Sequence, residues 1–131
     1  MTTLLNFATV QVGQHFGTHV WHATSAIAQR WQKAFGDAGG ASNLLPAAFA
    51  FVYTSEAVLS LMPPKGEGGI HAKQAFAFGV GVRVGDTLRT ELTLQEKYEK
   101  RGRSYVVLCT RTVNQHGDVV LEGLRTTIWA E

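Results

Sequence analysis

AFAFGVGVRV, residues 75–84, and AAFAFVY, residues 47–53, decide the fold between them. In the first stretch Phe76, Phe78, Val80, Val82 and Val84 alternate with Ala75, Ala77, Gly79, Gly81 and Arg83, which is the period of a strand. The second of these faces is almost all Ala and Gly, and such a face lets another backbone come close. The stretch 47–53 is apolar on every side, so as a helix it must be wrapped by other elements rather than lie on a surface. The expectation is a helix pressed onto the small face of that strand.

Outward from these two stretches the punctuation is clear. The helix should run from Pro46, tolerated in a first turn, to Met62, where Pro63-Pro64 ends it and Lys65-Gly66-Glu67-Gly68-Gly69 forms a loop. Upstream, residues 8–16 read as a short first strand. Thr24 or Ser25 then caps a helix that carries Ile27, Trp31, Ala34 and Phe35 at helical spacing and stops at Gly36-Asp37 and Gly39-Gly40. Downstream, Gly85-Asp86 turns the chain, and Leu88, Thr90, Leu92 and Leu94 alternate with polar residues. Lys100-Arg101-Gly102-Arg103 is a hairpin tip, Tyr105–Val113 a long strand, Asn114–Asp118 a polar hairpin loop, and Val119–Trp129 the closing strand. The whole reads as one α+β domain over residues 1–131, a long central helix wrapped by an antiparallel sheet of about five strands. That is the hotdog arrangement.

Bulk properties narrow the function. A chain of 131 residues with 45% hydrophobic and 17% charged residues can own a core and is slightly charge-poor, which hints at an interface. A net charge of +2, with no long basic run, argues against nucleic acid. The single Cys109 excludes an intramolecular disulfide and fits a reducing, cytoplasmic setting. The N-terminus has no basic region followed by a long apolar run, so no signal peptide is expected. No stretch reaches the ~18 apolar residues of a membrane span.

Several segments together carry a family resemblance. Val82-Arg83-Val84-Gly85-Asp86-Thr87-Leu88 is similar to the PVRxGDTL segment of the MaoC-like dehydratases. Glu99–Arg103 and Val113–Val120 match that family's two hairpins, and Val12–Phe16 and Ala34–Asp37 its N-terminal pattern. Ile70-His71-Ala72-Lys73-Gln74-Ala75-Phe76 resembles the LHGEQxF strand of the family's N-terminal, non-hydrating halves. The resemblance implies the hotdog fold and (R)-specific hydration or dehydration of acyl thioesters held on coenzyme A or a carrier protein, with no cofactor. It also implies pairs of hotdogs, as homodimer or heterodimer, joined sheet to sheet around an acyl tunnel. Catalytic members carry G-D-x-N-P-x-H. Here Asp37 stands at the motif's Asp, but Ser42 stands where its His belongs. Moving water across an enoyl thioester needs a base and an acid, and a serine hydroxyl is no base near pH 7.

The individual residues each have a plainer reading. Asp37 reads as a solvated turn aspartate, and His71, at the start of a strand, as a structural or solvated histidine. The resemblance makes both of them candidates for catalysis, and places Ser42 and Asn43 in contact with substrate. Lys97, Lys100, Arg101 and Arg103 form either a solvated hairpin tip or a seat for the phosphates of coenzyme A or phosphopantetheine. His15, His19 and His22 lack a further ligand and do not make a metal site. Cys109 reads as a core residue, and Trp21, Trp31 and Trp129 as core or interface. The leading expectation is a hotdog subunit of an (R)-3-hydroxyacyl dehydratase or enoyl hydratase assembly. The alternatives are a non-catalytic acyl-binding or structural homodimer, and a thioesterase in which Asp37 or Glu56 activates water.

Overall fold

The computed structural model describes residues 5–35, 44–62 and 69–130. Its elements run β1 (His15–His22), α1 (Ser25–Phe35), α2 (Phe49–Leu61), β2 (Ile70–Phe78), β3 (Thr87–Lys100), β4 (Arg103–Val113) and β5 (Val119–Trp129). The five strands form one antiparallel sheet in the order β1-β3-β4-β5-β2. β3, β4 and β5 are consecutive hairpins, while the two outer strands, β1 and β2, precede them in the chain. Arg101 and Gly102 both take positive φ, 53° and 74°, as a two-residue turn between twisted strands requires. This is the α+β hotdog fold. Among the described residues no helix is long and apolar enough to cross a membrane.

The inward face of β3 explains how the core divides. Leu88 belongs to one apolar cluster, with Trp21, Phe49, Tyr53 and Leu121, and Leu92 belongs to a second, with Val10, Leu94, Val106 and Trp129. Thr90 lies between them, buried, its hydroxyl 2.7 Å from that of Thr112 on β4. A polar pair is tolerated there because each hydroxyl satisfies the other. Thr54 of α2 bonds back to the Ala50 carbonyl at 2.5 Å. Helix α1 is capped by Thr24, whose Oγ1 accepts from the Ile27 amide at 3.2 Å, and it covers the first cluster with Ile27 and Trp31.

Several sequence expectations are corrected. The first strand is His15–His22 rather than 8–16, where the chain turns instead, with Gly13 at φ 88°. Helix α2 begins at Phe49, after a tight opening in which the Phe49, Ala50 and Phe51 amides bond to the carbonyls of Pro46, Ala47 and Ala48. It is not wrapped on all sides: Phe49, Ala50, Tyr53, Thr54 and Ala57 are buried, but Phe51 is 55% and Leu59 82% exposed. Cys109 is half-buried rather than a core residue, because its strand parity puts it opposite Leu108 and Val106. Burial and the nearby Glu122 push its thiol pKa up, with Arg111 opposing. Trp21 and Trp129 are core, as expected, and Trp31 is partly so.

The small face of residues 75–81 does not meet the helix either. Phe76 faces α2, with its ring centroid 5.0 Å from that of Phe51, while Ala75 and Ala77 are exposed. Gly79 instead lies against β5: its amide donates to the Val120 carbonyl at 2.8 Å, and a Cβ there would collide with the Val119 carbonyl oxygen. Parity assigned the two faces, but the apolar face of Phe76 wins the helix because it buries more area. Gly79→Leu should therefore displace backbone and lower stability by roughly 1–3 kcal/mol. Ala75→Leu, on the open face, should leave the denaturation midpoint nearly unchanged. Equal losses from the two would show that the helix lies on the Ala/Gly face after all.

Candidate functional site

The described residues show two places where polar chemistry gathers, at opposite ends of α2. At its start, Leu44 bridges to Arg83, and the Leu45 amide donates to the Val82 carbonyl at 2.8 Å. Here Asp86 is buried and tied down. Its Oδ2 accepts from the Arg83 amide and its Oδ1 from Gln115 Nε2, both at 2.8 Å. Gln115 Oε1 in turn accepts from the Thr87 amide at 3.0 Å. Gly85, at φ 101°, makes the turn that lets Asp86 fold back. The two most family-like segments, 82–88 and 113–120, are thus clamped to each other by Asp86 and Gln115. Their shared pattern is the signature of a structural joint.

At the far end of α2, its last turn and the start of β2 frame a cleft of about 530 Å³. Val58, Leu59, Met62 and Trp129 give it apolar walls, and His71 and Arg125 supply the polar groups. Arg125 reaches it because β5 alternates: Leu121, Gly123, Arg125, Thr127 and Trp129 share the inward parity. Burial lowers the guanidinium pKa, yet an arginine stays charged. The Arg125 Nε is shut off from solvent and has no hydrogen-bond partner among the described residues. His71 stands at a bulge of the β2–β5 ladder, opposite Thr127.

The candidate residues divide accordingly. Asp37, Ser42 and Asn43 lie outside the described residues. His71 lines the large cleft, and Arg103 lines a shallower pocket of about 260 Å³ that shares Ile70 and Trp129 with it. Lys100 and Arg101 stand exposed at the β3–β4 tip. Lys97 is already engaged: its Nζ donates to the Phe7 carbonyl at 2.9 Å and lies 5.1 Å from that residue's ring centre. Glu56 faces β1, 3.8 Å from His19. Among the described residues no three His, Cys, Asp or Glu side chains converge as a metal ion would need. Sequence reading missed Arg125, although its parity with Leu121 and Trp129 was a usable signal, since a charge on an inward face is rarely idle.

The family model for the FAS1-like dehydratase domain region matches residues 12–123. The chain belongs to this family. The matched span begins just before β1 and ends within β5, so it takes in four strands whole and the start of the fifth. Solved structures agree. The unliganded R-hydratase PhaJ1 from Pseudomonas aeruginosa is 25% identical, with a TM-score of 0.76 over 95% of this chain and 85% of that one. The MaoC-like dehydratase from Rhodospirillum rubrum superposes with a TM-score of 0.77 at 19% identity, covering 97% and 98% of the two chains. The C-terminally truncated HadBC (3R-hydroxyacyl-ACP dehydratase) complex from Mycobacterium tuberculosis gives 0.75 at 19% identity, covering 92% and 98%. A search of curated protein sequences gave no match. Kinship to MaoC-like dehydratases and hydratases, expected from the sequence, therefore holds at the level of family and fold.

Proposed function

We propose that the chain is a non-hydrating type of hotdog half that binds acyl thioesters, on coenzyme A or an acyl-carrier protein, within an (R)-3-hydroxyacyl dehydratase or enoyl hydratase assembly. The observation that carries this is the separation along α2. Leu44, which leads out of the predicted acid/base segment, lies at the start of the helix, and His71 lies beside its last turn. A 13-residue helix spans about 20 Å, so the cleft of one subunit needs catalytic groups from another. In this reading the acyl chain lies along Val58, Leu59 and Met62. Arg103, with Lys100 and Arg101, holds phosphates at the rim, and the partner provides the complete Asp/His pair. The HadBC complex, similar in fold, is a 3R-hydroxyacyl-ACP dehydratase. The thioesterase alternative gains nothing from Glu56, whose carboxylate is turned toward His19.

The edges of the sheet support a paired assembly. Among the described residues β2 pairs only with β5, which leaves its outer side open, and Ile70, Phe78 and Val80 beside it are about half exposed together with Phe51 of α2. An open edge flanked by apolar side chains invites a further strand. Light scattering of the purified chain should report a dimer, either with itself or with a co-expressed hotdog partner. A chain that stays monomeric alone and also ignores such a partner would defeat the proposal.

A further inference from the structure

The Nε of Arg125, shut off from solvent and without a hydrogen-bond partner among the described residues, asks for an explanation that acyl binding alone does not give. Leaving a charged donor without a partner away from water is costly, and native structures seldom do so without use. Around Arg125 the cleft is mostly hydrocarbon, from Val58, Leu59, Met62, Leu108 and Trp129, with His71 and Thr127 its other polar side chains. Thr127 is already occupied, its Oγ1 accepting from Trp129 Nε1 at 2.9 Å. Gln74, opposite Arg125 in the ladder, donates to the Leu124 carbonyl at 3.2 Å. No carboxylate among the described residues pairs with Arg125.

We infer that this cleft seats an aliphatic carboxylate, its two oxygens on the Arg125 guanidinium and its chain along Val58, Leu59 and Met62. A planar fork of N–H groups suits two carboxylate oxygens, and the apolar wall beside it suits the chain. The carboxylate is either that of a free acid or the distal group of a dicarboxylic acyl thioester. Only the second source rests on the acyl-thioester reading.

Decanoate, decanol and inorganic phosphate, titrated calorimetrically into the full chain, form the first arm. Decanoate should bind, decanol and phosphate much less. Arg125→Gln should weaken decanoate about ten- to hundredfold, as expected for loss of a charge-assisted pair, and Arg125→Lys should recover only part of that. Leu59→Asp, at an 82% exposed rim position that the core does not need, should also weaken decanoate by repulsion. Equal binding of decanoate and decanol, or undiminished decanoate binding by both Arg125→Gln and Leu59→Asp, overturns the inference. The second arm compares adipoyl-CoA with hexanoyl-CoA. Tighter binding of adipoyl-CoA assigns the carboxylate to the acyl chain. Decanoate binding with no binding of either thioester assigns the free acid, and then only the acyl-thioester reading fails.

Discussion

Purified by itself, the chain is expected to hydrate crotonyl-CoA about 10²–10⁴-fold more slowly than it does when paired with a hotdog subunit carrying an intact G-D-x-N-P-x-H motif. Hydration adds hydroxide equivalent at one end of the enoyl double bond and a proton at the other. A base must take the proton from water while an acid returns one to the carbon next to the carbonyl. In this chain Asp37 stands at the motif's carboxylate position and Ser42 at its histidine. One member of the pair is therefore missing, and each such group contributes on that scale. Ser42→His alone should restore little, because the motif's Asn and Pro are absent as well. Fast turnover by the chain alone would sink this expectation. His71 of a facing subunit would then be the suspect, and loss of that turnover in His71→Ala would identify it.

The largest stability effect is expected at Tyr53. Its side chain is 2% exposed, its ring centroid lies 5.6 Å from that of Trp21, and it joins α2 to the first apolar cluster. Tyr53→Ala should cost about 3–5 kcal/mol, the usual range for an aromatic removed from a core. Tyr53→Phe separates packing from ionisation. Burial pushes the Tyr53 phenol up to about 12. The unfolded chain loses this proton near pH 10 and the folded one does not until about pH 12. Between those values the unfolded state binds fewer protons, so stability falls as pH rises. The contribution is fully present below pH 10, and its loss by pH 12 is on the order of 2–3 kcal/mol. Denaturation at pH 8 and pH 11.5 should show wild type losing more than Tyr53→Phe across that interval. Parallel losses would mean that the phenol is not shielded in solution.

Strand alternation was the most legible part of the fold. Leu88, Thr90, Leu92 and Leu94 are all buried as their parity requires, and Val119–Trp129 is a strand over its whole length. The two-residue turn at Arg101-Gly102 was readable because few sequences suit two positive φ angles. What the sequence concealed were choices between equivalent patterns. Residues 75–81 alternate, but alternation does not say which face a helix will take, and Phe76 took it. Residues 8–16 are as strand-like as His15–His22, and only the pairing of the latter with β3 separates them. The site was half legible. His71 was visible through the family resemblance, and its joining with Arg125 depended on β2 lying beside β5, a pairing between distant segments that local sequence does not encode. Asp86 was visible as part of the strongest motif, but only its bonds to Arg83 and Gln115 reveal it as a joint.

The strand order also bears on how the chain is made. Synthesis produces α2 after β1 but before the four other strands of the sheet, and β2 well before its neighbour in the sheet, β5. The ribosome thus delivers Phe49, Phe51 and Phe76 into solvent some forty to eighty residues before Leu121 and Trp129 emerge to cover their surroundings. At about 5–20 residues per second that interval lasts from two to sixteen seconds, during which an apolar helix and an open strand edge are both unprotected. The β3-β4-β5 meander, made of neighbours in sequence, can close quickly once its last strand emerges. The vulnerable period is therefore before that, and molecular chaperones that grip exposed apolar segments have their natural target in residues 47–62 of the nascent chain.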